Sequence, residues 1–339
     1  MNRQKLVCIF SFILLISFCL SGCKQSVGTY EDNAVETDEE EKETDEEEKE
    51  DILKIGFSVI DMENPYFLSL ENAIKQELDQ SGQEYELITK DPGGDASLQG
   101  TQILELLDEG IETIVLTPVD WEAISPSLLA LSEAGVHIVN VDTQVKDMEY
   151  VDAYIGSDNY QAGVLCGEDL IEKCPEGGNV AILESPTQNS VNERISGFEE
   201  TIAAAESGFT VVAREDTNGS FETALDAMGK ILSENQDLVA IMCGNDQLAV
   251  AAQTQVNVNN ITDVLIYGVD GSPDIKKEFE KNTTQVAGTV AQSLIEMGTQ
   301  TAKTALAIHN GETYEKEYYL DVFMINKDNV ELYGVDGWQ

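Results

Sequence analysis

From residue 52 onward, short β-branched apolar runs alternate with segments whose apolar residues recur at helical spacing, which leaves few folds open. Strand-like runs cover 52–60, 84–89, 113–118, 136–141 and 151–155, with helical patterns at 65–80, 97–109 and 121–134. Ser81-Gly82, Gly110 and Gly135 stop those helices. A second series follows, with strands at 180–183, 210–213, 239–243, 264–267 and 284–290. Its helices fall at 160–173, 191–205, 221–233, 248–256, 273–281 and 294–309, and the tail at 315–325 again reads as strand. Strands separated by helices imply βαβ units and parallel sheets with right-handed crossovers. The strands are too many for one small sheet. The expected class is therefore α/β, with two doubly wound parallel-sheet lobes, and ligands of such sheets bind beyond the carboxyl ends of the strands.

The segment before this series reads as targeting and spacing. Arg3 and Lys5 precede an uncharged apolar run of fifteen residues, 6–20, too short for a comfortable membrane span but suited to a signal-peptide core. Leu20-Ser21-Gly22-Cys23 resembles the bacterial lipobox, in which small residues admit the peptidase and the cysteine thiol accepts lipid. Residues 1–22 are expected to be a lipoprotein signal, and Cys23 the lipidated start of a chain anchored to the outer face of the bacterial cytoplasmic membrane. Residues 23–51 are expected to be a disordered acidic tether. Within it, 31–51 holds fourteen acids and two lysines, and Thr-Asp-Glu-Glu-Glu-Lys-Glu occurs twice in succession. With no apolar positions to bury, the repeat is a solvated spacer rather than a coiled coil.

Charge narrows the partners. Sixty-four acidic residues against nineteen basic ones give −45, of which −36 belongs to 52–339. Such a surface repels phosphate backbones and excludes nucleic acid, and it favours a neutral ligand over an anionic one. Two histidines and no C-x-x-C pair leave no metal centre to expect. Cys166, Cys174 and Cys243, the odd number left after export and lipidation, are expected as buried free thiols. His137 lies in an apolar run and is expected in the core, and His309 at a helix end.

Polar and aromatic residues gather at the expected strand ends. Planar amides, carboxylates, a guanidinium and aromatic faces are what a polyhydroxylated ligand requires, since each hydroxyl both donates and accepts. Any single strand-end Asp or Asn is more simply a helix cap or turn residue. The recurrence across strand ends carries the argument. In order they are Asn64-Pro65-Tyr66-Phe67, Thr117-Pro118, Val141-Asp142, Ile155-Gly156-Ser157-Asp158-Asn159, Glu193-Arg194 with Gly197-Phe198, Gly244-Asn245-Asp246, Gly268-Val269-Asp270-Gly271 with Pro273-Asp274, and Val290-Ala291-Gln292.

With this ordered set, the chain from about Leu53 onward resembles the type I periplasmic sugar-binding proteins of the ribose and galactose type, whose fold is shared with LacI-type repressor sensor domains. The resemblance implies two lobes, 53–156 plus 293–321 and 157–292 plus 322–339, joined by a three-crossover hinge. It implies that Asn64, Asp142, Arg194, Asn245, Asp270 and Gln292 hydrogen-bond ligand hydroxyls while Tyr66 and Phe67 pack on the ring. Thr117, Thr143 and Phe221 are secondary candidates. Three positions depart from the pattern. Thr143 stands where ribose binders carry arginine, Gly219 where the second lobe usually supplies an aromatic, and Ile60 where some members have a small polar residue. A plain ribose pocket is thereby put in doubt, and a larger or substituted sugar, an inositol or a nucleoside is more easily accommodated.

The implied function is a non-enzymatic, monomeric binding protein without cofactor, delivering a small neutral sugar or polyol to an ABC transporter permease. One alternative is a ligand-sensing subunit of a membrane receptor or kinase. Another is a secreted carbohydrate hydrolase using Asp142 and Asp270 as paired acids. No G-x-S-x-G, H-E-x-x-H or phosphate-binding loop motif supports catalysis. A transcription factor is excluded by the export leader and the lack of a basic DNA-binding segment.

Overall fold

The computed structural model describes residues 52–206 and 208–339. The signal segment, Cys23 and the tether lie outside the described residues.

The first lobe begins with β1 (Leu53–Ser58), α1 (Pro65–Ser81), β2 (Tyr85–Lys90), α2 (Ala96–Asp108), β3 (Thr113–Leu116), α3 (Ser125–Glu133), β4 (His137–Val141) and β5 (Ala153–Ser157). The chain then enters the second lobe through α4 (Asn159–Lys173), β6 (Gly178–Glu184), α5 (Asn189–Ala204), β7 (Phe209–Asp216) and α6 (Phe221–Glu234). It continues through β8 (Leu238–Cys243), α7 (Asp246–Val258), β9 (Leu265–Asp270), α8 (Pro273–Glu278) and β10 (Val286–Ala291). Helix α9 (Leu294–His309) and β11 (Glu317–Leu320) return to the first lobe, and β12 (Phe323–Ile325) and α10 (Val330–Tyr333) close the second.

The two sheets repeat one plan. Their orders are β11-β5-β4-β3-β1-β2 and β12-β10-β9-β8-β6-β7, and every pairing is parallel except β10 with β12. The strand order reverses between β1 and β3 and again between β6 and β8, where doubly wound sheets open a crevice for ligand. Helices cover both faces of each sheet, so central strands are buried throughout. In β6, Val180 and Ile182 pack with α4 and α5, while Ala181 and Leu183 face α6 and α7. In the first lobe Phe57 packs under α1 and α9, and Ile114 and Leu116 under α2 and α3. Both lobes belong to a single compact unit.

Four local expectations change. The 315–325 tail is not one strand: it breaks at Asp321-Val322, and its halves join different sheets. Helix α3 starts at Ser125 rather than 121, because the Asp120 carboxylate accepts from Glu122 N and Ala123 N and holds a turn ahead of Pro126. His137 is exposed, not core: it opens β4, and its Nδ1 lies 3.2 Å from Asp152 Oδ1. Cys174 is only half-buried, whereas Cys166 and Cys243 are buried.

Candidate ligand-binding site

A cavity of about 370 Å³ opens between the lobes at the carboxyl ends of both sheets. The first lobe lines it with Asn64, Tyr66, Phe67 and Asp142, and the second with Arg194, Asn245, Asp270 and Phe221. Residues far apart in the sequence are thus brought to one place by the two strand-order reversals.

Helix starts explain several positions. Asn64 caps α1, its Oδ1 accepting from Tyr66 N at 3.0 Å, and Asn245 caps α7, accepting from Leu248 N at 3.0 Å. Capping occupies only the amide oxygen. The Asn64 amide nitrogen remains as a donor on a side chain that lines the cavity, and Asn245 Nδ2, which donates to Gly219 O at 3.5 Å, keeps its second hydrogen. The cap role and a ligand role are therefore compatible.

Two carboxylates dominate the electrostatics. Asp142 follows β4 and Asp270 ends β9, equivalent strands of the two sheets, and both have left-handed backbone, with φ of 65° and 138°. Such conformations cost about 1–3 kcal/mol each and persist where surrounding structure enforces them, commonly at functional sites. Tyr66 Oη donates to Asp142 Oδ1 at 3.0 Å, and Gln292 Nε2 donates to Asp270 Oδ1 at 2.9 Å. Burial pushes the Asp142 carboxyl above its ordinary range, while Arg194 and hydrogen bonds from Tyr66, Thr143 and Gln292 hold it back. Burial likewise raises Asp270; Arg194 opposes the shift and the Asp246 and Asp142 carboxylates add to it. Burial, then Asp142 and Asp270, raise the Tyr66 phenol well above its usual value, so it stays a neutral donor.

Arg194 is buried and fixed from two sides. Its Nε donates to Asn159 Oδ1 and its Nη1 to Gly244 O, both at 2.8 Å, and Nη1 lies 3.6 Å from Asp270 Oδ1. Close packing of α4 on α5 sets this position: a Cβ at Gly163 would fall 1.9 Å from Arg194 O, and one at Gly197 2.1 Å from Tyr160 O. Only glycine permits the approach.

Three expected residues stand behind the cavity wall rather than on it. Gln292 donates through Nε2 to Asp270 Oδ1 from behind. Thr117 Oγ1 donates to Val141 O at 3.0 Å, and Thr143 Oγ1 pairs with Ser190 Oγ of the other lobe at 2.6 Å. At Gly219 (φ 70°) a Cβ would meet Gln188 Nε2 at 2.8 Å, so Gln188 fills the space that an aromatic side chain would need. Phe221 lines the cavity from the start of α6, and Ile60 lines it from the first lobe. The sequence reading missed Gln188 and Ser190, both in the lining, because α5 begins at Asn189, two residues before the expected start.

Residues 55–313 match the family profile described as periplasmic binding protein domain. The chain belongs to that family. This periplasmic binding protein is 27% identical to the ribose import binding protein of Escherichia coli over 274 residues, covering 80% of this chain and 90% of that protein. It is 28% identical to the ribose import binding protein of Bacillus subtilis over 263 residues, covering 77% and 83%. A crystal structure of an ABC transporter solute-binding protein from Mycobacterium smegmatis with bound glycerol superposes with a TM-score of 0.78 at 26% identity, covering 85% of this chain and all of that one. Periplasmic binding proteins are exported solute-binding proteins, and the inter-lobe cavity of this chain lies at the carboxyl ends of the strands, where doubly wound sheets generally bind ligands. No helix among the described residues is long and apolar enough to cross a membrane.

Proposed function

We propose that this protein is a lipid-anchored extracellular receptor that captures a small neutral sugar or polyol between its lobes and hands it to an ABC importer. The observation that carries this reading is the cavity's donor set. Asp142 and Asp270 accept, Asn64 and Asn245 offer amide donors, Arg194 donates, and Tyr66 and Phe67 supply ring faces beside them. Hydroxyls that donate to carboxylates and accept from amides satisfy both halves of that set, and charge-assisted bonds of this kind contribute about 1.5–3 kcal/mol each. An anionic ligand would meet two buried carboxylates. The sugar-import relatives and the glycerol-bound neighbour support the same class.

The ligand-binding roles of Asn64, Tyr66, Phe67, Asp142, Arg194, Asn245 and Asp270 are part of the proposal. Gln292 acts through Asp270, and the chain works as a monomer. Binding rather than hydrolysis is favoured because each carboxylate already spends an oxygen on a fixed donor, Tyr66 or Gln292. The anchor at Cys23 is favoured by the lipobox-like Leu20-Ser21-Gly22-Cys23.

A thermal-shift screen tests the reading, because a ligand that binds only the folded state raises the melting temperature. Pentoses, hexoses and inositols are compared with sugar phosphates and amino acids. A rise with a neutral sugar or polyol and none with its phosphate is expected. Shifts confined to anions or amino acids would refute the assignment. Labelled palmitate should enter the full chain in a bacterial host, and Cys23→Ser should abolish it.

A further inference from the structure

The cleft does not end at Phe221. A second cavity of about 500 Å³ adjoins the first, and Asn64, Phe221, Gln247 and Asp270 line both. Its remaining walls differ in chemistry from those of the first. Pro65 of the first lobe, Val250 and Pro273 of the second, and Trp338 form most of them, and the two prolines bring no backbone N–H. The Asp246 carboxylate, Ser272 and the exposed Asp274 also border it. Asp246 Oδ1 accepts from Thr289 Oγ1 and Oδ2 from Ser272 N, both at 2.7 Å, Ser272 Oγ accepts from Ile275 N at 3.3 Å, and Asp274 stands at the solvent side. Gln247, half-buried where the chambers meet, makes no side-chain hydrogen bond to any described residue.

Trp338 is a fixed wall. Its ring packs edge-on against Tyr66 with centroids 5.6 Å apart, and the flanking residues are tied to both lobes. Lys276 Nζ of the second lobe donates to Gly337 O, and Ile295 N, at the start of α9, donates to Gln339 O at 2.9 Å. The segment after α10, counted with the second lobe in the sequence, therefore reaches the first lobe and holds an indole beside the cleft.

We propose that the cleft takes a two-part ligand: a sugar in the polar chamber, joined through its anomeric carbon to a flat apolar or heteroaromatic group that lies against Phe221 and Trp338. This deepens the sugar-binding reading and rests on it. The chambers divide the work by polarity. Carboxylates, amides and guanidinium face hydroxyls in the first, and aromatic and proline surfaces face a ring in the second, with the Gln247 carboxamide at the junction for a linking oxygen or ring nitrogen. The first chamber alone lies near the lower end of the range of about 300–1,000 Å³ for small-molecule sites.

Isothermal titration of the purified protein with matched pairs tests this: D-ribose with uridine, and D-galactose with 4-nitrophenyl β-D-galactopyranoside, with myo-inositol as a polyol that lacks an attached group. In at least one pair the glycoside is expected to bind at least about tenfold tighter than its free sugar, a factor worth about 1.4 kcal/mol. Val250→Trp, which fills the second chamber, and Trp338→Ala, which removes its wall, are each expected to bring that ratio close to one. Free sugars or myo-inositol binding with no preference for any glycoside would overturn the two-part ligand and leave the sugar reading standing. A glycoside preference unchanged in both variants would overturn the assignment of the second chamber. If none of the five binds, the matched pair is built on the sugar that gives the largest melting shift. No melting shift with any pentose, hexose or inositol would overturn the sugar reading, and this inference with it.

Discussion

Arg194 is the side chain on which the site depends most. It bonds Asn159 and Gly244 and compensates Asp270, so its removal leaves two buried acceptors without their donor and the buried Asp270 carboxylate without its counter-charge. Truncating one member of such a set costs about 2–5 kcal/mol, so Arg194→Ala is expected to weaken sugar binding by at least about thirtyfold in a titration. Arg194→Lys should not rescue it, because a single ammonium cannot reproduce a planar fork that reaches two carbonyl-type oxygens. Asp142 and Asp270 give the site a pH dependence. Burial raises both, so in the folded protein each keeps its proton above the unfolded value of about 3.9. Their contribution to stability is therefore largest at low pH and declines as pH rises from about 4 through the raised range. Ligand hydroxyls donate best to the ionised form, so the ligand-induced melting shift should grow over the same window. Asp270→Asn keeps the shape and tolerates positive φ, and it should raise the melting temperature of the ligand-free protein at neutral pH, flatten both trends and weaken binding. A melting series across pH with and without sugar checks all three.

At the scale of elements, the contact of α4 with α5 places Arg194. A methyl group at Gly197 would have to push α5 away from Tyr160 O, so Gly197→Ala should lower the melting temperature and weaken sugar binding together. A substitution that cost neither would show that the helix contact does not set the site. This level was also the most legible in the sequence. Alternating periodicity revealed the two doubly wound sheets, and α9 runs over the expected 294–309. The strand-end motifs pointed to most of the residues that meet in the cavity. What escaped depends on tertiary contacts with no periodic signature. Gln188 lies before a helix whose first turn resembles loop, and Trp338 is far in sequence from the Tyr66 it touches. His137 sits in a strand pattern that would bury it, yet the opening position of β4 leaves it outside, paired with Asp152. The apolar pattern locates strands well and says little about where at a strand's end the core stops. Thr117 and Thr143 show the converse. Polar residues at strand ends satisfy buried backbone or the other lobe as readily as they satisfy a ligand.

The whole molecule carries its acidity mainly in the folded region, −36 of −45. Mutual repulsion of that many carboxylates opposes compaction and is screened by salt, with a Debye length falling from about 30 Å at 0.01 M to about 3 Å at 1 M. The melting temperature should accordingly rise between low and high sodium chloride, and a fall would show that the ion pairs outweigh the repulsion. Between the lobes, contacts away from the crossovers already exist. Thr143 meets Ser190, and Trp121 N donates to Thr187 O at 3.0 Å. A ligand held between two lobes must order both at once. Hydrogen–deuterium exchange, with and without the sugar that gives the largest melting shift, tests this most directly. Protection is predicted to appear together around Asn64–Phe67 and Asp142 in the first lobe and around Arg194, Asn245 and Asp270 in the second. Protection confined to one lobe, or to surfaces outside the cleft, would contradict capture between the lobes.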